Sequence, residues 1–204
     1  MTTADRIWYA PYGSNMTWRR FRLYLEGGVL AETGRDHCGA RDPSPPAGSS
    51  PVWMPGVTYF ATESSFWTGG RILYDPLASG MAAGRAWLIT PGQFCDVMAQ
   101  EMKRDPGLDH DLPRAPGERV QAGPGHYETI VCTGSFRGHP VVTFCAPWSV
   151  ADAEPLAPAA AYRAVIAAGL REAFGWDEDR AGRYLASLPG SRAAARHTRE
   201  ETAA

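Results

Sequence analysis

The sequence lacks long hydrophobic runs and an excess of charge of either sign. No apolar run approaches the roughly 20 residues that a membrane-spanning helix requires, which predicts a chain that does not cross a membrane. The 20 Lys and Arg residues against 22 Asp and Glu residues give a formal net charge of −2. This balance offers no basic surface for nucleic acid or for an anionic membrane, and it favours small-molecule partners.

Cysteine pairs and metal-ligand spacings are also missing. The chain has four cysteines, far apart and without a CxxC pair, and nothing near its N-terminus resembles a signal peptide. We therefore expect reduced thiols and a cytoplasmic protein. His110, His126 and His139 show no spacing typical of a metal site, so no metal is predicted.

What is present is the composition of one folded domain. With 204 residues, 44% of them hydrophobic and 21% charged, the chain suits a single soluble domain with a sizeable core. We assign this domain to residues 1–190. Residues 191–204 offer mainly alanines and charges, which predicts a flexible C-terminal tail.

The N-terminal half begins as strand, tight turn and short helix. Residues 7–10 form an apolar aromatic run stopped by Pro11, and a helical pattern then continues to the glycines at 27 and 28. The proline-rich stretch 41–56 is typical of an extended surface loop. Beyond it, three apolar runs predict strands at residues 57–62, 71–74 and 84–89.

The C-terminal half carries the clearest helix signal. Thr90, Pro91 and Gln93 predict a capped helix start, and the helix should continue to about Arg104 before a polar loop over 105–125. Two strands are expected at 127–133 and 141–145, joined by a longer hairpin loop around 137–140. Two helices complete the pattern, one after Pro158 and one from Asp177. This grouping favours an α+β fold with a mostly antiparallel or mixed sheet over a doubly wound one.

Glu101 is the first candidate for chemistry. It falls on the apolar stripe of the predicted helix with Phe94, Val97 and Met98, so its carboxylate should face inward. Inward carboxylates serve proteins as proton donors and acceptors near neutral pH. The alternative is a structural role, in which Glu101 is paired with an arginine or caps a backbone group.

The turn formed by Tyr12, Gly13, Ser14 and Asn15 is the second candidate. It lies where a strand passes into a helix, and such junctions present several backbone N–H groups to an anion. The alternative is an ordinary connection in which Ser14 or Asn15 caps the helix.

A family resemblance connects these two candidates. An aromatic strand followed by Tyr-Gly-Ser-Asn-Met near the N-terminus resembles the signature of the gamma-glutamylcyclotransferase-like family. Three further segments agree in order: Gly69-Gly70 before a strand, Gln100-Glu101 as the catalytic pair, and a C-terminal segment containing Tyr162, Ile166, Gly169, Glu172, Gly175 and Tyr184. The similarity covers most of residues 7–188, but Pro11 and the segment 102–106 depart from the family pattern.

The resemblance implies a small β-barrel of mixed strands with surrounding helices, and neither a metal nor an organic cofactor. It also implies a reaction, in which the α-amine of a γ-glutamyl amide closes on the γ-carbonyl to give 5-oxoproline and a free amine. Glu101 would move the protons, backbone N–H groups from Gly13 to Met16 would hold the substrate, and Tyr12 and Tyr162 would line the pocket. The sequence specifies neither the leaving amine nor the oligomeric state.

Two other functions stay open at this point. The same fold could be a small-ligand-binding protein without catalysis, in which case Glu101 would be held in an ion pair with an arginine. It could also be an amide hydrolase that uses water in the same pocket and releases glutamate.

Overall fold

A computed structural model describes residues 5–30, 34–64 and 66–192, and these form an α+β fold, as predicted. The described strands are β1 Ile7–Tyr9, β2 Gly28–Leu30, β3 Arg35–His37, β4 Ser49–Pro55, β5 Val57–Glu63, β6 Gly70–Asp75, β7 Met81–Ile89, β8 Arg119–Gln121, β9 Thr129–Phe136 and β10 His139–Cys145. The described helices are a single 3-10 turn Ser14–Met16, then α1 Trp18–Glu26, α2 Pro91–Glu101, α3 Ala160–Phe174 and α4 Glu178–Ser187.

The main sheet is mixed and has β1 near its centre. Its six strands follow the order β4-β7-β1-β10-β9-β8. Strand β1 runs parallel to β10 and antiparallel to β7, with Trp8 opposite both Val141 and Leu88. Because β1 is buried between two strands, the turn that follows it has a fixed position within the fold.

The barrel implied by the resemblance is not confirmed. In the described residues β4 and β8 are the two edges of the main sheet, and β5 and β6 form a separate two-stranded sheet. The edge of β5 that does not pair with β6 is hydrogen-bonded to other segments. The Phe60 N–H donates to the Pro189 carbonyl at 2.8 Å, and the Phe60 carbonyl accepts from the Leu156 N–H at 3.2 Å. Those segments occupy the edge through which further strand pairing would occur.

The prediction of an irregular loop over 41–56 is wrong for its second half. Residues Ser49–Pro55 form the edge strand β4, which pairs antiparallel with β7. Pro51 and Pro55 suggested a loop because proline cannot donate to a ladder, but an edge strand tolerates it. The short strands β2, β3 and β8 were also not predicted.

The hairpin between β9 and β10 has a tighter turn than predicted. Phe136 pairs directly with His139, so Arg137 and Gly138 alone form the turn. Both residues have positive φ, 46° and 80°, as the two-residue turns that suit the twist of a hairpin require.

Helix α2 begins as the sequence predicted. Gln93 N–H donates to Thr90 Oγ1 at 3.2 Å and Thr90 N–H donates to Gln93 Oε1 at 3.0 Å, which completes a capping box. The helix ends at Glu101, three residues before the predicted end, and Lys103 has a φ of 58°. Glu101 is therefore the last helical residue.

The two C-terminal helices confirm their predicted starts and stops. Gly175 ends α3 in the left-handed conformation, and Asp177 caps α4 by accepting from Arg180 N–H at 2.6 Å. Helix α3 approaches the 3-10 turn closely at Gly169, where an added Cβ would lie 2.6 Å from Met16 Cβ. The predicted tail from 193 onward lies outside the described residues.

None of the described helices is long and apolar enough to cross a membrane. Within the described part of the chain, no three His, Cys, Asp or Glu side chains are grouped so that they could hold a metal ion.

Candidate active site

The turn after β1 is held by close packing at Gly13. An added Cβ there would lie 2.9 Å from Ile72 Cγ2 and 3.4 Å from Tyr162 Oη, so any larger residue would enter occupied space. Next to it, the buried Tyr12 donates its hydroxyl hydrogen to the Phe144 carbonyl at 2.9 Å. The turn is thus locked against both β6 and α3.

Glu101 lies opposite this turn. Helical spacing and the turn motif identified the two sites separately in the sequence, and the structure brings them together. Asn15 Nδ2 donates to Glu101 Oε1 at 2.8 Å, across 86 residues of sequence. The preceding Gln100 fixes the end of α2, because its Nε2 donates to the carbonyls of Tyr24 at 2.9 Å and Gly39 at 3.2 Å. The carboxylate therefore has a defined position and a neutral partner.

In the described residues, no ion pair joins Glu101 to an arginine. The arginines that form ion pairs in the described residues use other carboxylates, for example Arg85 with Glu172 and Arg41 with Asp96. Glu101 is half-buried and instead lines open space on two sides. This arrangement is the opposite of the one expected of a structural glutamate.

The first of these spaces, which we call the inner cavity, has a volume of about 40 Å³. Its walls combine the motif turn, Glu101 and a set of aromatic side chains: Tyr9, Pro11, Tyr12, Gly13, Ser14, Asn15, Ile72, Glu101, Tyr127, Phe144 and Tyr162. Five of the six predicted substrate-binding residues are among them, together with the predicted catalytic residue.

Met16 is the exception. Its side chain is fully buried in the core against α3, and its N–H already donates to the Gly13 carbonyl at 3.1 Å. The side chain and the amide are both engaged, so Met16 supports the turn from behind and does not line the cavity.

The tyrosine hydroxyls around Glu101 stay protonated at neutral pH. Burial, and then the charge of Glu101, raises the pKa of Tyr9 well above its ordinary value, and the same two causes raise that of Tyr162. Burial is also the main cause of the raised pKa of Tyr127, whose hydroxyl donates to the Ile72 carbonyl at 2.8 Å. The carboxyl group of Glu101 is thus surrounded by neutral hydroxyls.

A second space, the outer cavity, adjoins the first and has a volume of about 310 Å³. Glu101, Ser14, Tyr127 and Tyr162 line both cavities. The remaining walls are cationic and aromatic: Arg20, Ser64, Phe66, Trp67, Arg71, Met102, Lys103 and His126.

Sequence reasoning missed most of this outer wall and also missed Tyr127. Tyr127 precedes a strand, where nothing in the local pattern marks a pocket residue. A signal did exist for Arg20, because it lies one helical turn before Tyr24 and so on the apolar side of α1, unlike Arg19 and Arg22. Arg71 and His126 come together only through the fold.

Comparisons with known proteins agree on the fold. Two solved structures match at a TM-score of 0.52 and cover 95% of this chain and 95% of their own: a gamma-glutamyl cyclotransferase at 14% identity, and a human protein described as uncharacterized at 15%. No protein-family model matches the chain. The predicted resemblance to the gamma-glutamylcyclotransferase-like family is thereby confirmed at the level of the fold.

One curated protein is similar in sequence. It is the Histone deacetylase 5 of Arabidopsis thaliana, 31% identical over 202 residues, which cover 88% of this chain. The chain spans only 30% of the length of that relative, so the name describes a much longer protein.

Proposed function

We propose that this protein is a cyclotransferase that converts a γ-glutamyl amide to 5-oxoproline and a free amine. The observation that supports it best is the position of Glu101, which lines the cavity beside the motif turn and is held by Asn15 instead of an arginine. A carboxylate in this setting can both accept and return a proton.

The chemistry needs one proton acceptor that later becomes a proton donor. Glu101 takes a proton from the substrate's α-ammonium group, and the amine nitrogen attacks the γ-carbonyl carbon to close a five-membered ring. Glu101 gives this proton to the departing nitrogen as its bond to the γ-carbon breaks, and then takes the second proton from the ring nitrogen, which leaves a neutral lactam. That second proton ends on the released amine as its ammonium group. Protons balance and no water is consumed.

Asn15 supplies a group that suits the α-ammonium. Its Nδ2 is used by Glu101, whereas its Oδ1 is buried and has no hydrogen-bond partner in the described residues. An orphaned buried acceptor costs free energy unless a ligand donates to it. A substrate ammonium placed between Asn15 Oδ1 and Glu101 would satisfy both.

The backbone of the motif turn is the proposed site for the substrate's α-carboxylate or for the developing oxyanion. The first N–H groups of a helical turn have no intrahelical acceptor, and here they belong to Gly13, Ser14 and Asn15. The Met16 amide is excluded because it already bonds to Gly13.

The lining of the inner cavity suits an intramolecular reaction. Tyr12, Tyr127 and Tyr162 line it together with Glu101. A γ-glutamyl group that folds back on itself there would react intramolecularly, and attack of this kind reaches an effective molarity of about 10⁵ M or more. Neither a cofactor nor a metal is needed for this step.

The test is product analysis with γ-glutamyl compounds in water enriched in ¹⁸O. Cyclisation gives unlabelled 5-oxoproline in an amount equal to that of the released amine, measured by mass spectrometry. Labelled glutamate would overturn the proposal in favour of hydrolysis. Binding without either product would identify a ligand-binding protein that has the fold and lacks the reaction.

A further inference from the structure

Two side chains of β7 donate hydrogen bonds to carbonyl groups of the motif turn. The Trp87 indole Nε1 donates to the Asn15 carbonyl at 3.0 Å. Arg85 Nη1 donates to the next carbonyl, that of Met16, at 3.1 Å. The two donors lie two residues apart on one strand, so both point to the same face of the sheet. Strand β7 therefore holds two successive peptide groups of the turn.

Arg85 is itself fixed on several sides. Its Nη1 also donates to Glu172 Oε2 at 2.9 Å, and its Nη2 donates to Ser49 Oγ at 3.3 Å. The guanidinium carbon lies 4.0 Å from the ring centre of Trp87, which makes a cation–π contact. Since the guanidinium is planar and its donors form a rigid fork, these contacts give its bond to Met16 a fixed direction.

Glu172 connects this arginine to the start of α1. Its Oε2 also accepts from the Trp18 N–H at 3.3 Å. Trp18 is the first residue of α1, where N–H groups have no intrahelical acceptor and a negative charge is favourable. One carboxylate from α3 thus joins β7 to the helix that follows the motif turn.

Trp87 acts on the Ser14 amide through planar peptide groups. A carbonyl and the N–H of the next residue belong to one rigid trans plane and point in opposite directions. The carbonyl that Trp87 binds shares its plane with the Met16 N–H, which donates to the Gly13 carbonyl at 3.1 Å. That carbonyl shares its plane with the N–H of Ser14. Two hydrogen bonds and two planes therefore orient the Ser14 N–H.

Arg85 reaches the Asn15 amide in the same way. The Met16 carbonyl, to which it donates, shares its plane with the Thr17 N–H, and this N–H donates to the Ser14 carbonyl at 3.2 Å. The plane of that carbonyl carries the N–H of Asn15. Hydrogen bonds in a chain polarise one another, so a cationic donor at one end makes the last N–H a better donor.

We infer that Trp87 and Arg85 are positioning residues of the active site, and that each orients one amide of the motif turn towards the substrate. Trp87 acts on the Ser14 N–H. Arg85, held by Glu172, acts on the Asn15 N–H. The inference rests on the proposed function, which assigns these N–H groups to the substrate's α-carboxylate or to the developing oxyanion. Neither positioning residue is among the described residues that line the two cavities, so its effect on turnover must pass through the turn.

The kinetic test uses Arg85→Met and Trp87→Phe, which each remove one donor and keep an apolar side chain in its place. We expect each change to lower kcat/KM for 5-oxoproline release by about 3–10-fold, the amount that one hydrogen bond contributes. Arg85→Lys keeps a charged donor and should restore part of the loss. An unchanged kcat/KM in either variant would overturn the inference for that residue and leave the proposed reaction intact.

Two controls separate positioning from a general loss of stability. Arg41→Met breaks a different ion pair, the one with Asp96, and Trp176→Phe makes the same ring change at another buried tryptophan. Both should lower Tm and leave kcat/KM unchanged when all variants are assayed well below their Tm. If a control loses as much activity as its matched variant, stability explains the result and the inference is wrong.

NMR tests the two paths directly and needs no turnover. In Arg85→Met the amide ¹H signal of Asn15 should move upfield more than that of Ser14, because its hydrogen-bond chain has lost the cationic donor. In Trp87→Phe the Ser14 signal should move more. If neither amide signal moves in either variant, the inference is overturned. These signals also decide it if the wild-type protein turns over no γ-glutamyl compound, a result that would overturn the proposed function alone. If Trp87→Phe does not fold, Arg85→Met decides the inference.

Discussion

The two adjoining cavities differ in how their charged groups are paired with hydrogen-bond partners. In the inner cavity the one carboxylate has a neutral partner in Asn15, and the hydroxyls of Tyr12 and Tyr127 donate to backbone carbonyls. In the outer cavity the guanidinium of Arg20 is buried, and its Nε and Nη1 have no hydrogen-bond partner among the described residues. The inner cavity is thus organised before a substrate arrives, whereas the polar groups of the outer one are only partly satisfied.

The backbone conformation also differs between the segments around the two cavities. The turn at Gly13 has no positive φ, whereas Thr62, Thr68 and Lys103 around the outer cavity have φ values of 52°, 53° and 58°. Left-handed backbone costs a non-glycine residue about 1–2 kcal/mol. Strain of this kind is found at functional sites, and here it lies in or next to the segments that carry Phe66, Trp67 and Lys103.

The sharpest test of the inner cavity is Glu101→Gln. The amide keeps the size of the side chain but cannot accept the proton, so kcat for 5-oxoproline release should fall by about 10²–10⁴-fold. Substrate binding should persist, and calorimetry with γ-glutamyl-alanine can measure it on this variant. Glu178→Gln, on the exposed first turn of α4, is the matched control. Equal turnover by Glu101→Gln would remove Glu101 from the mechanism.

Asn15→Ala should have the next largest effect. It removes the donor to Glu101 and the buried Oδ1, and each hydrogen bond to a charged group contributes about 1.5–3 kcal/mol. We expect kcat/KM for 5-oxoproline release to fall by about 10–100-fold. An unchanged kcat/KM would show that neither polar group of Asn15 takes part in the reaction.

A third test uses two glycines in opposite settings. Gly13→Ala places a Cβ 2.9 Å from Ile72, so we expect a loss of about 1–3 kcal/mol in the free energy of unfolding and a narrower inner cavity. Gly182→Ala lies within α4 with nothing within 4 Å and should instead add about 0.5–1 kcal/mol. Urea titration measures both. A harmless Gly13→Ala would mean that the turn is not closely packed.

The inner cavity could be predicted from sequence because its parts carry local signals. The helical spacing placed Glu101 on an inward face, and the motif turn follows a short apolar strand. Their meeting through Asn15 could not be predicted from spacing, since it joins residues 86 apart in the sequence. The end of α2, three residues earlier than its pattern indicated, was missed as well, because the left-handed residue near it is Lys103 and not a glycine.

The outer cavity could not be predicted, for a physical reason. Its groups come from α1, the turn before β6, β6 itself and the loop before β9, and no spacing along the chain connects them. The edge strand β4 was missed for another reason. Within a sheet its prolines are tolerated only on an edge strand, and the sequence does not show which strands lie at the edge. Local propensity located the catalytic candidates, but only the fold revealed the uncompensated charge.

The smallest expected effect concerns His126. Its pKa is lowered to about 4 by burial and then by Arg71, whereas in the unfolded chain it titrates near 6.5. Between these values the unfolded state binds more protons, so stability that is complete above about pH 6.5 is lost progressively as the pH falls towards 4.

His126→Gln removes this contribution and should make the fall in Tm between pH 7 and 4.5 about 2–4 °C smaller, after allowance for partial exposure. Arg71→Met should move the imidazole titration of His126, followed by NMR, to higher pH, because it removes one of the two main causes. If His126 titrates near 6.5 in the unliganded protein, the positive charge of Arg71 does not lower its pKa. The electrostatic difference between the two cavities would then rest on Arg20 alone.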